Sequence, residues 1–159
     1  MPRAFALRDS AIAAAALWIW TVERNLDRET FGGQLLAVTA GALAAIVGFL
    51  LHEWGHLAGA LAAGATFHPP RHLLSPFLFH FDVKRSSRLA FLMMSLGGYL
   101  GTAVGVGLTA WLAPSDRLSG QIALVMAALG SLATLTLEVP VTLRVLRGGE
   151  LPTGRVFAR

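Results

Sequence analysis

His52, Glu53 and His56 stand in the order His-Glu-Trp-Gly-His, within a stretch from Phe31 to Phe67 that holds no other charged residue. On a helix, residues four apart lie about 40° apart around the axis, so both imidazoles can reach one ion. The glutamate between them can take a proton from a water polarised by that ion. The chemistry this predicts is metal-assisted hydrolysis. Ionisable groups at membrane depth are expensive and usually functional, and three of them at these spacings argue against coincidence.

A catalytic zinc needs a third protein ligand, with water completing its coordination. The chain has no cysteine, so that ligand is His, Asp or Glu. The candidates are Asp82, Glu138, Glu150, His68, His72 and His80. Depth favours Glu138. In the motif-bearing stretch, 21 uncharged residues (Phe31 to Leu51) precede His52; in the last apolar stretch, 20 (Leu118 to Leu137) precede Glu138. If the two helices run in the same direction side by side, the two sites meet. A lone glutamate in an apolar span also needs a partner, and a metal would supply one. Pro140 would loosen the backbone there. The competing readings of Glu138 are a protonated carboxyl, or a pair with Arg144, whose six-residue spacing is poor for a helix. Asp82 and Glu150 lie among basic residues and read as solvated ion pairs. His68, His72 and His80 read as interfacial or substrate-facing, with a histidine ligand still open.

Four apolar stretches must position these groups, with spans at about 9–23, 33–65, 89–113 and 118–143. The first has only 13 uncharged residues, Ser10 to Val22, short of the roughly 17–25 a span needs. Arg8 and Glu23 could snorkel to extend it, and Trp18 and Trp20 fit an interfacial anchor. It is read as a retained span, with a signal peptide as the rival reading. The second is long, tilted or broken near Gly64. The polar loop 68–88 carries Pro69, Pro70 and Pro76 and the aromatic run Phe77, Phe79 and Phe81, and reads as an extended or re-entrant segment at the membrane surface. With four spans, one face holds 10 Lys and Arg and the other 3. The positive-inside rule then puts both termini and the motif end of the second span in the cytoplasm.

Composition agrees. Of 159 residues, 55% are hydrophobic and 14% charged, against roughly 25% charged in a soluble domain. The expected fold is an all-α polytopic membrane protein, a single transmembrane domain over 1–159, with no appended soluble module. A disulfide framework and a thiolate metal site are excluded. The net charge of +4 does not indicate a nucleic-acid partner, because the basic residues flank apolar spans as topology determinants do.

His52-Glu53-Trp54-Gly55-His56 in a membrane helix resembles the site-2 protease family of intramembrane zinc metalloproteases. Phe81-Asp82-Val83-Lys84-Arg85-Ser86-Ser87-Arg88 looks like the basic link before the next core helix of bacterial members. Ser95-Leu96-Gly97-Gly98-Tyr99-Leu100-Gly101 stands where the family has a small-residue Gly-Pro stretch. The resemblance covers about residues 46–154 and implies a three-helix metalloprotease core in a bacterial inner membrane. Two features depart from it. Leu137-Glu138-Val139-Pro140 occupies the family's Asn-x-x-Pro stretch. Leu151-Pro152-Thr153-Gly154 lacks the aspartate of the family's Asp-Gly motif, its third zinc ligand. Either Glu138 replaces that aspartate or the site is degenerate.

The expected function is zinc-dependent cleavage of a membrane-spanning or signal-peptide-like substrate within the bilayer. His52, His56 and Glu138 would hold Zn2+ and Glu53 would act as general base. Gly55, Gly59, Gly64, Gly97 and Gly98 would allow close helix packing or room for an extended substrate strand, and Trp54 would face a neighbouring helix or lipid. The alternatives are a non-proteolytic metal-binding or scaffold protein of the same fold, and a small metal or proton transporter lined by His52, Glu53, His56 and Glu138.

Overall fold

Helices form wherever the sequence is apolar. The structure, a computed structural model, describes residues 2–27 and 29–152. Its helices are α1 (Pro2–Arg24), α2 (Phe31–Ala62), α3 (Arg88–Leu112), α4 (Leu118–Ala133) and α5 (Val139–Leu146). A π-helical turn, Thr134–Glu138, joins α4 to α5. Four segments are long and apolar enough to cross a membrane, with α4 through α5 counting as one of 29 residues. Strand among the described residues is confined to the pairs β1 (Phe67–His68) and β2 (His80–Phe81), antiparallel with Phe67 opposite Phe81. The protein is an all-α integral membrane protein. Backbone polar groups must be satisfied internally in lipid, and helices do this span by span.

The helix ends follow local chemistry. Thr30 caps α2 by accepting from Gly33 N, and Ser87 caps α3 by accepting from Ala90 N. The long second helix breaks near Gly64, as one of the sequence readings has it. It stops at Ala62, and Gly64, at φ +64°, closes a Schellman turn in which Gly64 N donates to Leu61 O and Ala65 N to Ala60 O. Gly64 therefore ends a helix, and is not one of the packing glycines expected from the sequence.

α1 is longer than the expected span, beginning at Pro2 rather than near residue 9. Its flanking charges do not snorkel. Glu23 is buried, accepting from Arg117 Nη1 at 3.3 Å and from Ser119 Oγ at 3.2 Å, while Arg117 Nη2 also donates to Arg24 O. Arg8 donates to the carbonyls of Leu73 and Ser75. Both ends of α1 are thus tied to other elements. Arg28, Arg155 and Arg159, used in the charge count, lie outside the described residues.

The bundle runs up and down, and its tightest contact is between α2 and α3. A Cβ added at Gly55 would lie 2.2 Å from Gly97 O, one at Gly97 2.1 Å from Gly55 O, and one at Gly59 2.1 Å from Met93 O. The two backbones touch, as only small residues in a membrane bundle allow. The extended substrate strand imagined for these glycines has no space there. At the other end of the bundle Gly41 packs on Ser119 and Ile122 of α4. A cluster of Ala60, Phe81, Ala90, Phe91, Met94 and Val145 joins α2, β2, α3 and α5.

Gly97→Val should therefore destabilise the bundle by about 3 kcal/mol, at the upper end of overpacking costs because a backbone must shift. Gly107→Val, where an added Cβ meets nothing within 4 Å, is the control. Denaturant unfolding in detergent micelles checks this, and equal midpoints for the two variants would contradict it.

Candidate metal centre

Three groups meet where α2, α3 and the π turn converge. His52 Nε2 lies 3.1 Å from Glu138 Oε1 and 2.9 Å from His56 Nε2, and His56 Nε2 lies 3.4 Å from Glu138 Oε2. Among the described residues, His52, His56 and Glu138 form the group of His, Asp and Glu side chains whose ligand atoms converge.

The far sides of both rings are already committed. His52 Nδ1 faces Gly98 O at 3.1 Å and Thr102 Oγ1 at 2.8 Å, and His56 Nδ1 faces Met94 O at 2.9 Å. A carbonyl oxygen can only accept, so each Nδ1 carries a proton and each ring turns its Nε2 inward. Two inward nitrogens and a carboxylate then share one small volume. A single extra proton on one ring would satisfy part of this set, whereas a cation bound at the centre satisfies all of it. Glu138 Oε2 is buried with no hydrogen-bond donor, an arrangement that is costly unless a cation faces it. The spacing also suits an ion. Tetrahedral bonds of about 2.0–2.1 Å set ligand atoms about 3.3 Å apart, close to the three distances seen. Carbonyls fixing the rings from behind are the usual outer support of histidine ligands.

Each side chain is aimed by a local feature. His52 and His56 share a face of α2, one turn apart. α3 supplies their outer partners because it approaches so closely: a Cβ at Gly98 would lie 2.2 Å from His56 Cε1. Glu138 ends the π turn, in which Val139 N donates to Thr134 O. Pro140 has no N–H for the ladder and its ring crowds the carbonyl four residues back. The wider π turn accommodates it and rotates Glu138 toward α2; such turns are frequent at functional sites. The Tyr99 hydroxyl, 2.6 Å from Thr142 Oγ1, ties α3 to α5 just beyond.

Glu53 is buried beside the group but outside it. Its Oε2 accepts from Leu78 N at 3.4 Å. Its neighbour Trp54 donates its indole N–H to Asp9 Oδ2 at 2.8 Å, so the neighbouring helix it faces is α1. The other candidates lie elsewhere. Asp82 accepts from the amides of Lys84 and Arg85 and pairs with His68 at 3.3 Å. Desolvation raises its carboxyl, but the His68 ring, the amides of Arg85 and Lys84 and the Arg85 charge together outweigh it, and the net direction is down. His72 and Glu150 are exposed, and His80 belongs to β2. Leu151 packs on the Phe91–Val145 cluster, while Thr153 and Gly154 lie outside the described residues.

Sequence reasoning missed Asp9, Thr102, Leu78 and the carbonyls of Gly98 and Met94. An Arg-Asp pair among the apolar residues of α1 was a signal for Asp9. Nothing local marks the others. It also assumed that α2 and α4 start level, whereas α4 begins beside Gly41. α2, α3 and α4 line a cavity of about 440 Å³ that includes Ala45, Gly48, Gly105, Ala127 and Gly130, with His52 and Glu138 at one end.

A divalent cation should bind at one per chain. His52→Ala or Glu138→Ala should weaken it by 100-fold or more, and Thr102→Val, which removes one of two partners of His52 Nδ1, by about tenfold. Competition with a chromophoric chelator measures this, and unchanged affinity in Glu138→Ala would remove Glu138 from the ligand set. No family model, curated protein or solved structure matches the chain.

Proposed function

We propose that the chain is a zinc-dependent intramembrane endopeptidase. The observation that carries this is the pairing of three converging acceptors, His52, His56 and Glu138, with a buried carboxylate, Glu53, next to the first of them in sequence. An all-nitrogen-and-oxygen set of two imidazoles and one carboxylate, with room for a fourth ligand, suits catalytic zinc. Glu138 takes the place of the aspartate that the site-2 protease family uses.

Zinc would supply Lewis-acid polarisation of the scissile carbonyl and of the attacking water. The chain's own groups do the rest. Glu53 takes a proton from the water and returns it to the leaving amine nitrogen. Gly98, Thr102 and Met94 keep the two rings in one tautomer. The apolar cavity beside His52 and Glu138 has the size of a ligand site and carries no charge apart from them. Its rim includes Phe49, Leu129 and Leu137, all well exposed on the bundle's outer face. A membrane-spanning peptide, locally unwound, fits this chemistry: it comes sideways from lipid and presents apolar side chains. The count of Lys and Arg supports a cytoplasmic position for the termini and the metal-centre end, and the resemblance to bacterial site-2 proteases supports a bacterial inner membrane.

A second reading, a metal-holding scaffold without hydrolytic activity, is favoured by one observation. Glu53 is buried, and its carboxylate already accepts from Leu78 N.

Glu53→Gln separates the two. With protein in lipid nanodiscs and a set of labelled transmembrane peptides, it should lower cleavage by about 10²–10⁴-fold while metal stoichiometry stays at that of the parent. Cleavage that persists undiminished in Glu53→Gln would exclude the hydrolytic role.

A further inference from the structure

The loop between α2 and α3 does more than connect them. Leu78 is 5% exposed and wedged between Phe5 of α1 and Leu57 of α2. Its backbone N–H points at Glu53. The segment around it therefore covers the carboxylate from the outer side of the bundle's metal-centre end.

What holds that segment is not its own structure. The strand pair ends at His68 and His80. Between them, among the described residues, the backbone bonds to itself in one turn, Ser75 N to His72 O, with Ser75 Oγ contacting Phe77. Leu74 is 93% exposed and Leu73 51%. Leu78 and Phe79 pack on α2 and the strand pair, and the polar side-chain attachments of 73–75 come from α1. Arg8 Nη1 donates to Leu73 O at 2.5 Å and to Ser75 O at 2.6 Å. Arg8 Nε is 2.6 Å from Asp9 Oδ1, and the other oxygen of Asp9 accepts from the indole of Trp54. Phe5 closes over Leu78, with the Arg8 guanidinium 4.9 Å from its ring.

We propose that segment 73–79 is a plug over Glu53 and that α1 is its latch, with Asp9 joining the latch to the residue next to Glu53. The continuous path is Trp54, Asp9, Arg8, loop. One guanidinium nitrogen, Arg8 Nη1, donates to both carbonyls, and the buried Asp9 carboxylate orients the side chain, which holds a segment with few bonds of its own. Removing any link frees the plug without touching the metal ligands. Glu53 is freed from Leu78 N to act beside the metal centre only after the plug swings out about the base of the strand pair. A membrane partner that competes for the face of α1 carrying Arg8 and Asp9 would open it. The inference rests on Glu53 as the base of the proposed reaction, but its test does not.

Hydrogen–deuterium exchange on the full chain in nanodiscs reads the plug directly. In Arg8→Gln and in Trp54→Phe, exchange across 73–79 should rise by about tenfold, the size expected from losing a hydrogen bond to a charged group. Exchange in the centres of α2 and α3 should stay as in the parent, which shows the bundle intact. Trp54→Phe keeps the ring's packing and serves where Arg8→Gln loosens the whole bundle. Unchanged exchange of 73–79 in Trp54→Phe, with α2 and α3 intact, overturns the latch. Cleavage is scored separately. Faster exchange with faster cleavage supports both the latch and the protease. Faster exchange with no cleavage in any variant supports the latch and removes the protease.

Discussion

The backbone contact between α2 and α3 is the constraint on which the rest depends. Gly55, Gly59, Gly97 and Gly101 let the two helices approach until peptide groups touch. In lipid this closeness is held by dispersion and by lipid exclusion, since apolar burial alone gives no preference for protein over tails. Its chemical result is specific. Only at this distance do Gly98 O and Met94 O reach the Nδ1 atoms of His52 and His56. The tautomer of both rings, and so the direction of their lone pairs, is set by how small the facing residues are.

The fourth segment then completes the centre from the other side by breaking its own regularity. An unbroken α-helix through Pro140 would leave a clash and an unmatched carbonyl. The π turn absorbs both and turns Glu138 inward. Between the contact at Gly41 and the carboxylate of Glu138, α2, α3 and α4 line the cavity. α1 stands apart from it, pinned at one end by the Glu23–Arg117–Ser119 cluster and at the other by Asp9 and Arg8. Buried ionised groups are tolerated there because each is matched by a partner of opposite charge or by a hydrogen-bond donor.

Much of this was legible from residue types. The apolar runs located four spans because length and hydropathy are properties of a segment alone. The i, i+4 histidines were legible because one helix turn places them. Glu138 was reachable by counting residues from the start of each span, although the level start assumed in that count does not hold. The short first run was rightly read as a span, but its ends were not: Arg8 and Glu23 were read as snorkelling charges, whereas Arg8 pairs with Asp9 and the carbonyls of Leu73 and Ser75, and Glu23 with Arg117. Gly64 was read both as packing and as a helix break, and its positive φ makes it the break.

The sequence by itself therefore determined the elements, the His-Glu-x-x-His face and the need for an outside partner for each buried charge. Only the tertiary structure decided which partners those are. The outer contacts of the rings are backbone carbonyls, which every residue carries and no sequence pattern marks. The cover over Glu53 is a backbone N–H, equally anonymous, brought in by a loop held by a distant helix. Side-chain chemistry is written in the order of residues, but hydrogen bonds from the backbone depend on which segments touch, and that is settled by packing.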